Sequence, residues 1–449
     1  MKFSVQELAT MVNATLVNDG EQVITRYSMD SRDVDAFTVF LAYKGINYDA
    51  HQFLDAVIAQ GCCTVIVDES TPMTHDEVSY LVVKDTNQAM LDLARRYREM
   101  LSIPVIAITG SNGKTTTKDA LAMILKTAGR VVYTAENNNN EIGVAKTILR
   151  ADETTDFLVL EAGIDKLEDM EILSQMIEPT VSVVTSIGLA HIEVFQTIEA
   201  IAEHKCHLTR YARADGLFLY QGDHPVLKAA AQAAGYPGES RCFGFESSND
   251  YVIRDFFGDE QQIHFMVNHH SVSSNLLGRF QASNLSAAIL VADYLGIDYE
   301  TYSDVLEHIV LTDLRLQRLK YKEAWVILDA YKSNPESALA ALSILDESPS
   351  LHKAVVFADM LGLDTYSEAQ HRRLLNRILE GHYDQVLLHG EWFEKALKQS
   401  GIQSNVRWFD TFEALNKAFQ ELCQQELTVL VKGSRLFALE RLLERNSHV

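Results

Sequence analysis

Between Pro104 and Lys118 the chain reads PVIAITGSNGKTTTK: an apolar run, a turn with two glycines, then a lysine and three threonines opening a helix. Residues of these types at this spacing suit the holding of phosphate. A strand that stops at Ile108 and turns through Gly110 and Gly113 aims backbone N–H groups, and the positive end of the following helix, at an anion. Lys114 then reaches the terminal phosphates as a point charge. The Thr115 hydroxyl is left to ligate the magnesium that accompanies a nucleotide. The spacing is a shortened form of the common phosphate loop, whose first glycine would fall where Ile108 stands. A tight strand-to-helix turn that happens to carry Lys-Thr is the competing reading.

Other polar residues follow apolar runs in the same way. Glu161 comes after DFLVL and His191 after VSVVTSIG. In open parallel sheets ligands bind beyond the carboxyl ends of the strands, so Lys114, Thr115, Glu161 and His191 can converge although they are far apart in sequence. A hydroxyl, a carboxylate and an imidazole beside a phosphate cradle make a magnesium site, although that ion prefers oxygen. For His191 a hydrogen-bonded loop histidine is the alternative. The tract NNNNEIG, Asn137 to Gly143, either surrounds a polar ligand with amides or caps the next helix. Lys205, in AIAEHKCHL, falls on a helix with Ile201 and Leu208 on its buried side, and composition alone reads it as solvated.

These residues need a scaffold of repeated strand and helix. At 449 residues the chain suggests two to four domains. Residues 1–84 read as a small mixed α/β module, with a helical opening at Val5, Leu8, Met11 and Val12 and a strand in CCTVIVDE. Residues 85–310 carry the phosphate loop, in the order expected of a parallel sheet covered on both sides, with the loop's helix ending at Gly129. Residues 311–449 alternate again: the runs AWVILDA, AVVFADM, DQVLLHG and TVLVKGS end at Asp329, Asp359, Gly390 and Lys432 to Arg435. The net charge of −23 argues against nucleic acid, which demands basic stripes. The five cysteines lack metal-ligand spacing and read as reduced thiols. No apolar run approaches membrane-spanning length and the N-terminus lacks a signal-like core, so a cytoplasmic protein without membrane insertion is expected, a monomer by default.

The order SMDSR, YKGINYDAH, TGSNGKTTTK, NNNNEIG, SIGLAHIEVF, DAYKSNP, ADMLGLDTYSEAQH and VKGSR resembles the Mur ligases, the ATP-dependent amide-forming family of bacterial cell-wall synthesis. The resemblance covers almost the whole chain, and is nearest to members that join D-alanyl-D-alanine to UDP-MurNAc-tripeptide. It implies an α/β fold of three domains: a small N-terminal domain for the UDP substrate, a central P-loop-type parallel-sheet ATPase domain, and a C-terminal Rossmann-like domain. It further implies ATP contacts at Gly110, Asn112, Gly113, Lys114, Thr115, Thr116, Asn284, Arg315 and Asp329, with Tyr331, Asn334 and Pro335 continuing the last motif. Substrate contacts would fall at Ser31, Arg32, Lys44, Gly45, Asn137, Asn139 and Asn140. Thr115, Glu161, His191 and Lys205 would hold two Mg2+ ions, Lys205 as a carbamate, and Lys114, Lys205, His191 and Arg315 would serve catalysis.

Some positions depart from the family pattern: Ser186 and Leu189 in SIGLAH, EAGI from Glu161, Phe280 and Gln281 in GRFQ, and ADMLGLD. They cluster where the nucleotide pocket and substrate are shaped. A divergent paralogue with another acceptor, and a catalytically quiet homologue, therefore stay open alongside the leading reading.

Overall fold

Strand and helix alternate through three successive α/β units in the computed structural model, which describes residues 2–45, 47–135, 138–259, 261–311, 314–400 and 403–444. The first unit is a five-stranded sheet in the order Thr15–Val17, Ser79–Val83, Thr64–Asp68, Thr38–Leu41, Arg26–Ser28. Only Thr15–Val17 runs antiparallel. The segments after Arg26–Ser28 and Thr38–Leu41 therefore leave the sheet at the same edge. The opening helix Val5–Met11 starts at a capping box, where Ser4 and Glu7 satisfy each other's end of the first turn.

Helix Thr86–Met100, capped by Asp85, ties this unit to the next. Its buried Arg98 donates to the carbonyls of Ile177 and Glu178, each at 2.7 Å. The central sheet has seven parallel strands in the order Tyr251–Val252, Glu239–Gly244, Leu217–Gln221, Val181–Val184, Val105–Thr109, Phe157–Glu161, Val131–Tyr133. Val105–Thr109 is buried along its whole length, which is why its sequence is continuously apolar rather than alternating. The next strand in sequence, Val131–Tyr133, lies to one side, while Val181–Val184 lies to the other. A crevice therefore opens at the carboxyl end of Val105–Thr109.

Helix Lys114–Leu125 leads out of that crevice and packs along helix Arg279–Tyr294, which is buried through most of its length. The first of these helices ends at Leu125, four residues before the expected stop. Tight turns carry the chain on to Gly129, whose N–H donates to the Leu125 carbonyl at 3.0 Å.

A three-stranded antiparallel sheet, Arg254–Gly258, Ile263–Val267 and His270–Ser274, was absent from the sequence expectations. Beyond it lies a six-stranded sheet in the order Gln317–Tyr321, Ala324–Asp329, Thr428–Lys432, Lys353–Ala358, Gln385–His389, Val406–Phe409, antiparallel only at the first strand. Asp329, Asp359, Gly390 and Lys432 stand at its carboxyl edge, as their strand-terminal positions require.

Candidate functional site

The phosphate loop is held from both sides. Gly110 and Gly113 have φ of +150° and +85°. A Cβ on the first would run into Thr185 Oγ1, and on the second into Asn284 Oδ1. The end of strand Val181–Val184 pins the loop backbone: the Ser111 N–H donates to the Ser186 carbonyl at 2.9 Å, and the Asn112 N–H to Ser186 Oγ at 2.9 Å. Ser186 Oγ and Thr185 Oγ1 donate to the Asn112 carbonyl at 2.8 and 2.6 Å. Ser186, a departure from the family pattern, thus has a definite task in fixing the loop.

Lys114 folds back so that Nζ donates to the Gly110 carbonyl at 2.7 Å. Burial, opposed by Glu161 and reinforced by Lys332 and Arg315, brings its pKa down to about 8. Thr116 is buried in the first turn behind it.

Beside the loop stand two buried oxygens without hydrogen-bond partners among the described residues, Thr115 Oγ1 and Glu161 Oε2. Orphaned acceptors of this kind are costly unless something fills the gap. The other carboxylate oxygen, Glu161 Oε1, accepts from Asn139 Nδ2 at 2.8 Å, so the side chain is oriented while one oxygen stays available. Hard oxygen donors so placed fit Mg2+.

His191 has a left-handed backbone, φ 66°, and its Nδ1 stands 3.3 Å from Asp165 Oδ1. Burial first, then the charges of Lys332, Lys114 and Lys205, bring its pKa down to about 3. The ring is neutral at pH 7, the form that can bind a metal.

Lys205 is 1% exposed, which corrects the composition-only expectation of a solvated side chain. Helix Ile198–Cys206 turns it inward with Ile201 and Ala202. Burial, then Lys114 and Lys332, push its pKa well below the ordinary lysine value. No hydrogen bond or ion pair reaches its Nζ among the described residues.

Asn284, Arg315 and Asp329 come together around a cavity of about 480 Å3 between the central and C-terminal sheets, lined also by Asn112, Gly113, Thr116, Phe280, Tyr331 and Lys332. Asn284 Nδ2 donates to Gln281 Oε1 at 2.8 Å, so Gln281, another departure, orients the residue that faces Gly113. The Arg315 guanidinium stacks over the Tyr331 ring at 4.7 Å. Asp329 is paired with fully buried Lys432 at 2.5 Å. Beside the cavity the amides of Asn334 and Asn112 bond each other at 2.9 and 3.4 Å.

Most of the remaining residues lie elsewhere. Ser31, Arg32, Lys44 and Gly45 lie in the two segments that leave the N-terminal sheet at one edge, and none of them lines the 480 Å3 cavity. Arg32 pairs with Asp30 at 2.7 Å and Lys44 with Asp49 at 3.5 Å. Asn140 accepts from the Gly143 N–H at 2.9 Å and so caps helix Glu141–Ile148. In this tract both readings have an occupant: Asn140 caps, whereas Asn139 reaches the carboxylate. Asn137 lies outside the described residues.

Sequence reasoning passed over Lys332 and Asp165. Each follows an apolar strand run by a few residues, the same signal that singled out Glu161 and His191.

Comparison with known proteins decides the family. The Mur ligase middle domain matches residues 108–292, and the Mur ligase glutamate ligase domain matches residues 314–435. The chain belongs to the Mur ligase family. This Mur ligase is 31% identical to the UDP-N-acetylmuramoyl-tripeptide–D-alanyl-D-alanine ligase of Bacillus subtilis (strain 168), over 99% of this chain and 98% of that one. Its identity to the protein of the same name from Escherichia coli (strain K12) is 28%, over 98% and 97%. Among solved structures it is similar to MurF from Acinetobacter baumannii, with a TM-score of 0.89 at 26% identity and 98% coverage of both chains. MurF ligase from Thermotoga maritima in complex with ADP gives a TM-score of 0.82 at 26% identity, covering 93% of this chain and 96% of that one.

Proposed function

We propose that this Mur ligase uses ATP to join D-alanyl-D-alanine to UDP-MurNAc-tripeptide in peptidoglycan precursor synthesis. The observation that carries the reading is the pairing of a built phosphate loop with oxygens of Thr115 and Glu161 that have no partner among the described residues, in a chain that aligns end to end with relatives bearing that activity in their names.

A carboxylate is a poor electrophile at neutral pH, so it is activated first. One of its oxygens attacks the γ-phosphorus of ATP, the bond from that phosphorus to the β–γ bridging oxygen breaks, and ADP leaves. The amine of D-alanyl-D-alanine then attacks the acyl carbon and loses a proton. The bond from that carbon to the phosphate oxygen breaks, and inorganic phosphate leaves. Loop N–H groups and Lys114 hold the phosphates and stabilise the charge that develops on them. Asn284, Arg315 and Asp329 hold the nucleotide from the cavity's two walls, and the docked C-terminal unit keeps water from the acyl phosphate.

Thr115 and Glu161 would hold one Mg2+, and His191 with Lys205 a second. The ions supply charge neutralisation of crowded phosphate oxygens. Lys205 would do so as a carbamate: the neutral amine adds to carbon dioxide with loss of one proton and becomes an anionic oxygen ligand. Its burial among cations favours the neutral amine that this addition needs.

Residues 1–84 would take the UDP end through Ser31, Arg32, Lys44 and Gly45. Residues 85–310 and 311–449 would form the two ligase domains, with Asn137, Asn139 and Asn140 nearest the substrate. The enzyme would work as a monomer in the cytoplasm, where its nucleotide-linked substrates are made. No helix among the described residues is long and apolar enough to cross a membrane.

An acceptor panel tests the assignment. With ATP and UDP-MurNAc-tripeptide, D-alanyl-D-alanine is expected to give a product heavier by one dipeptide residue, and single amino acids none. A product formed only with another acceptor would move the chain to a paralogous activity.

A further inference from the structure

Lys332 stands at the carboxyl end of strand Ala324–Asp329, two residues before Asn334, the cap of helix Pro335–Glu347. Its backbone is fixed on both sides. The Lys332 carbonyl accepts from Lys432 Nζ at 3.0 Å, and Lys432 is itself buried and paired with Asp329. On the other side Asn334 is clasped to Asn112 of the phosphate loop. The side chain is exposed and lines the cavity together with Asn112, Gly113 and Thr116. Among the described residues no hydrogen bond or ion pair engages its ammonium.

A rigid backbone thus presents an uncommitted cation to the loop from the opposite unit. Lys114, Lys205 and His191 all lie close enough to Lys332 for its charge to act on them. The chain as a whole is acidic, with a net charge of −23. Three lysines gathered at one spot repel one another, and a polyanion bound between them relieves that repulsion.

We propose that Lys332 is a further catalytic residue, whose ammonium contacts the oxygens of the phosphoryl group in transit from ATP to the substrate carboxylate. The inference rests on the phosphoryl-transfer reading above. Lys332 keeps its proton throughout and forms no covalent bond. It neutralises charge on the equatorial oxygens while the bond to the β–γ bridging oxygen breaks and the new acyl–oxygen bond to phosphorus forms. Because Lys332 belongs to the C-terminal unit, that charge is in place only when the unit is docked on the loop. Phosphoryl transfer is thereby coupled to docking.

The test compares ADP with the β,γ-imido analogue of ATP, by calorimetry in magnesium, on the full-length parent, Lys332→Ala and Lys332→Arg. The alanine variant is expected to bind the imido analogue about tenfold more weakly while ADP affinity changes less than about twofold. The arginine variant should stay within about threefold of the parent for both. Turnover of the alanine variant should fall about 100-fold, with the KM for D-alanyl-D-alanine little changed. An imido-analogue to ADP affinity ratio equal to the parent's, or a kcat within twofold of it, overturns the proposal. If the parent itself makes no ligated product, the ligase reading falls, and the affinity ratio still decides whether Lys332 holds the terminal phosphate.

Discussion

Lys205 shows how one residue's surroundings set its chemistry. A solvated lysine stays protonated at neutral pH and does not add carbon dioxide. At 1% exposure beside Lys114 and Lys332, the charged form of the amine is disfavoured by burial and then by its neighbours' charges. Lys205→Ala should lower kcat by at least about 100-fold, and short carboxylic acids added to the assay should restore part of it by filling the vacated space with an oxygen ligand. Failure of every short acid to rescue would count against the carbamate. Lys114, Thr115, Glu161 and His191 were legible in the sequence because each follows an apolar run, and strand ends converge. The depth of Lys205 was not. Helical spacing tells which face a residue shares, but not how thick the protein is above that face. The orienting roles of Ser186 and Gln281 were hidden too, because a hydrogen bond between segments far apart in sequence leaves no local pattern.

Elements turn such residues into a site, and two of them offer direct tests. Gly113 begins helix Lys114–Leu125 at φ +85°, with Asn284 where a Cβ would sit. Gly113→Ala should destabilise the protein by about 1–3 kcal/mol and weaken ATP binding, read from urea melts and calorimetry. Melts unchanged from the parent would show that the turn tolerates a side chain. In the C-terminal unit, fully buried His371 on helix Ser367–Leu379 accepts the Met360 N–H at Nε2, 2.9 Å, while Nδ1 lies 2.7 Å from the Ser367 carbonyl. Burial brings its pKa down to about 4, against 6.5 in the unfolded chain. The unfolded state therefore binds the extra proton between these values, and stability falls as pH drops through that window. The loss from this group should be about 3 kcal/mol between pH 6.5 and pH 4. His371→Gln should lose correspondingly less over the same range, and parallel slopes for the two proteins would contradict the assignment.

The inner parallel strands Val105–Thr109, Phe157–Glu161 and Val181–Val184, and Ala324–Asp329, Lys353–Ala358, Gln385–His389 and Thr428–Lys432, could be read from their apolar runs, whereas Glu239–Gly244, which opens on Glu-Ser-Arg, could not. The hairpin Ile263–Val267 to His270–Ser274 could not. It turns through Asn268 and His269, both at positive φ, rather than through the usual Asn-Gly.

At the scale of the whole molecule, two sheets meet across one cavity. The central sheet brings the phosphate loop and its oxygen donors, whereas the C-terminal sheet brings Arg315, Asp329 and Lys332. The Asn112–Asn334 clasp holds the two walls in register. The order of the units was legible because hydrophobic grammar resets at each boundary. How their edges face each other was not, since contacts between units join residues far apart in sequence and leave no local pattern. The most direct test of the account is phosphate release from ATP, with magnesium, bicarbonate and UDP-MurNAc-tripeptide, measured with and without D-alanyl-D-alanine. Sustained release that requires both substrates, matched by one ligated product per phosphate, is the predicted result. Release indifferent to D-alanyl-D-alanine, or none from folded protein that binds ATP, would contradict it.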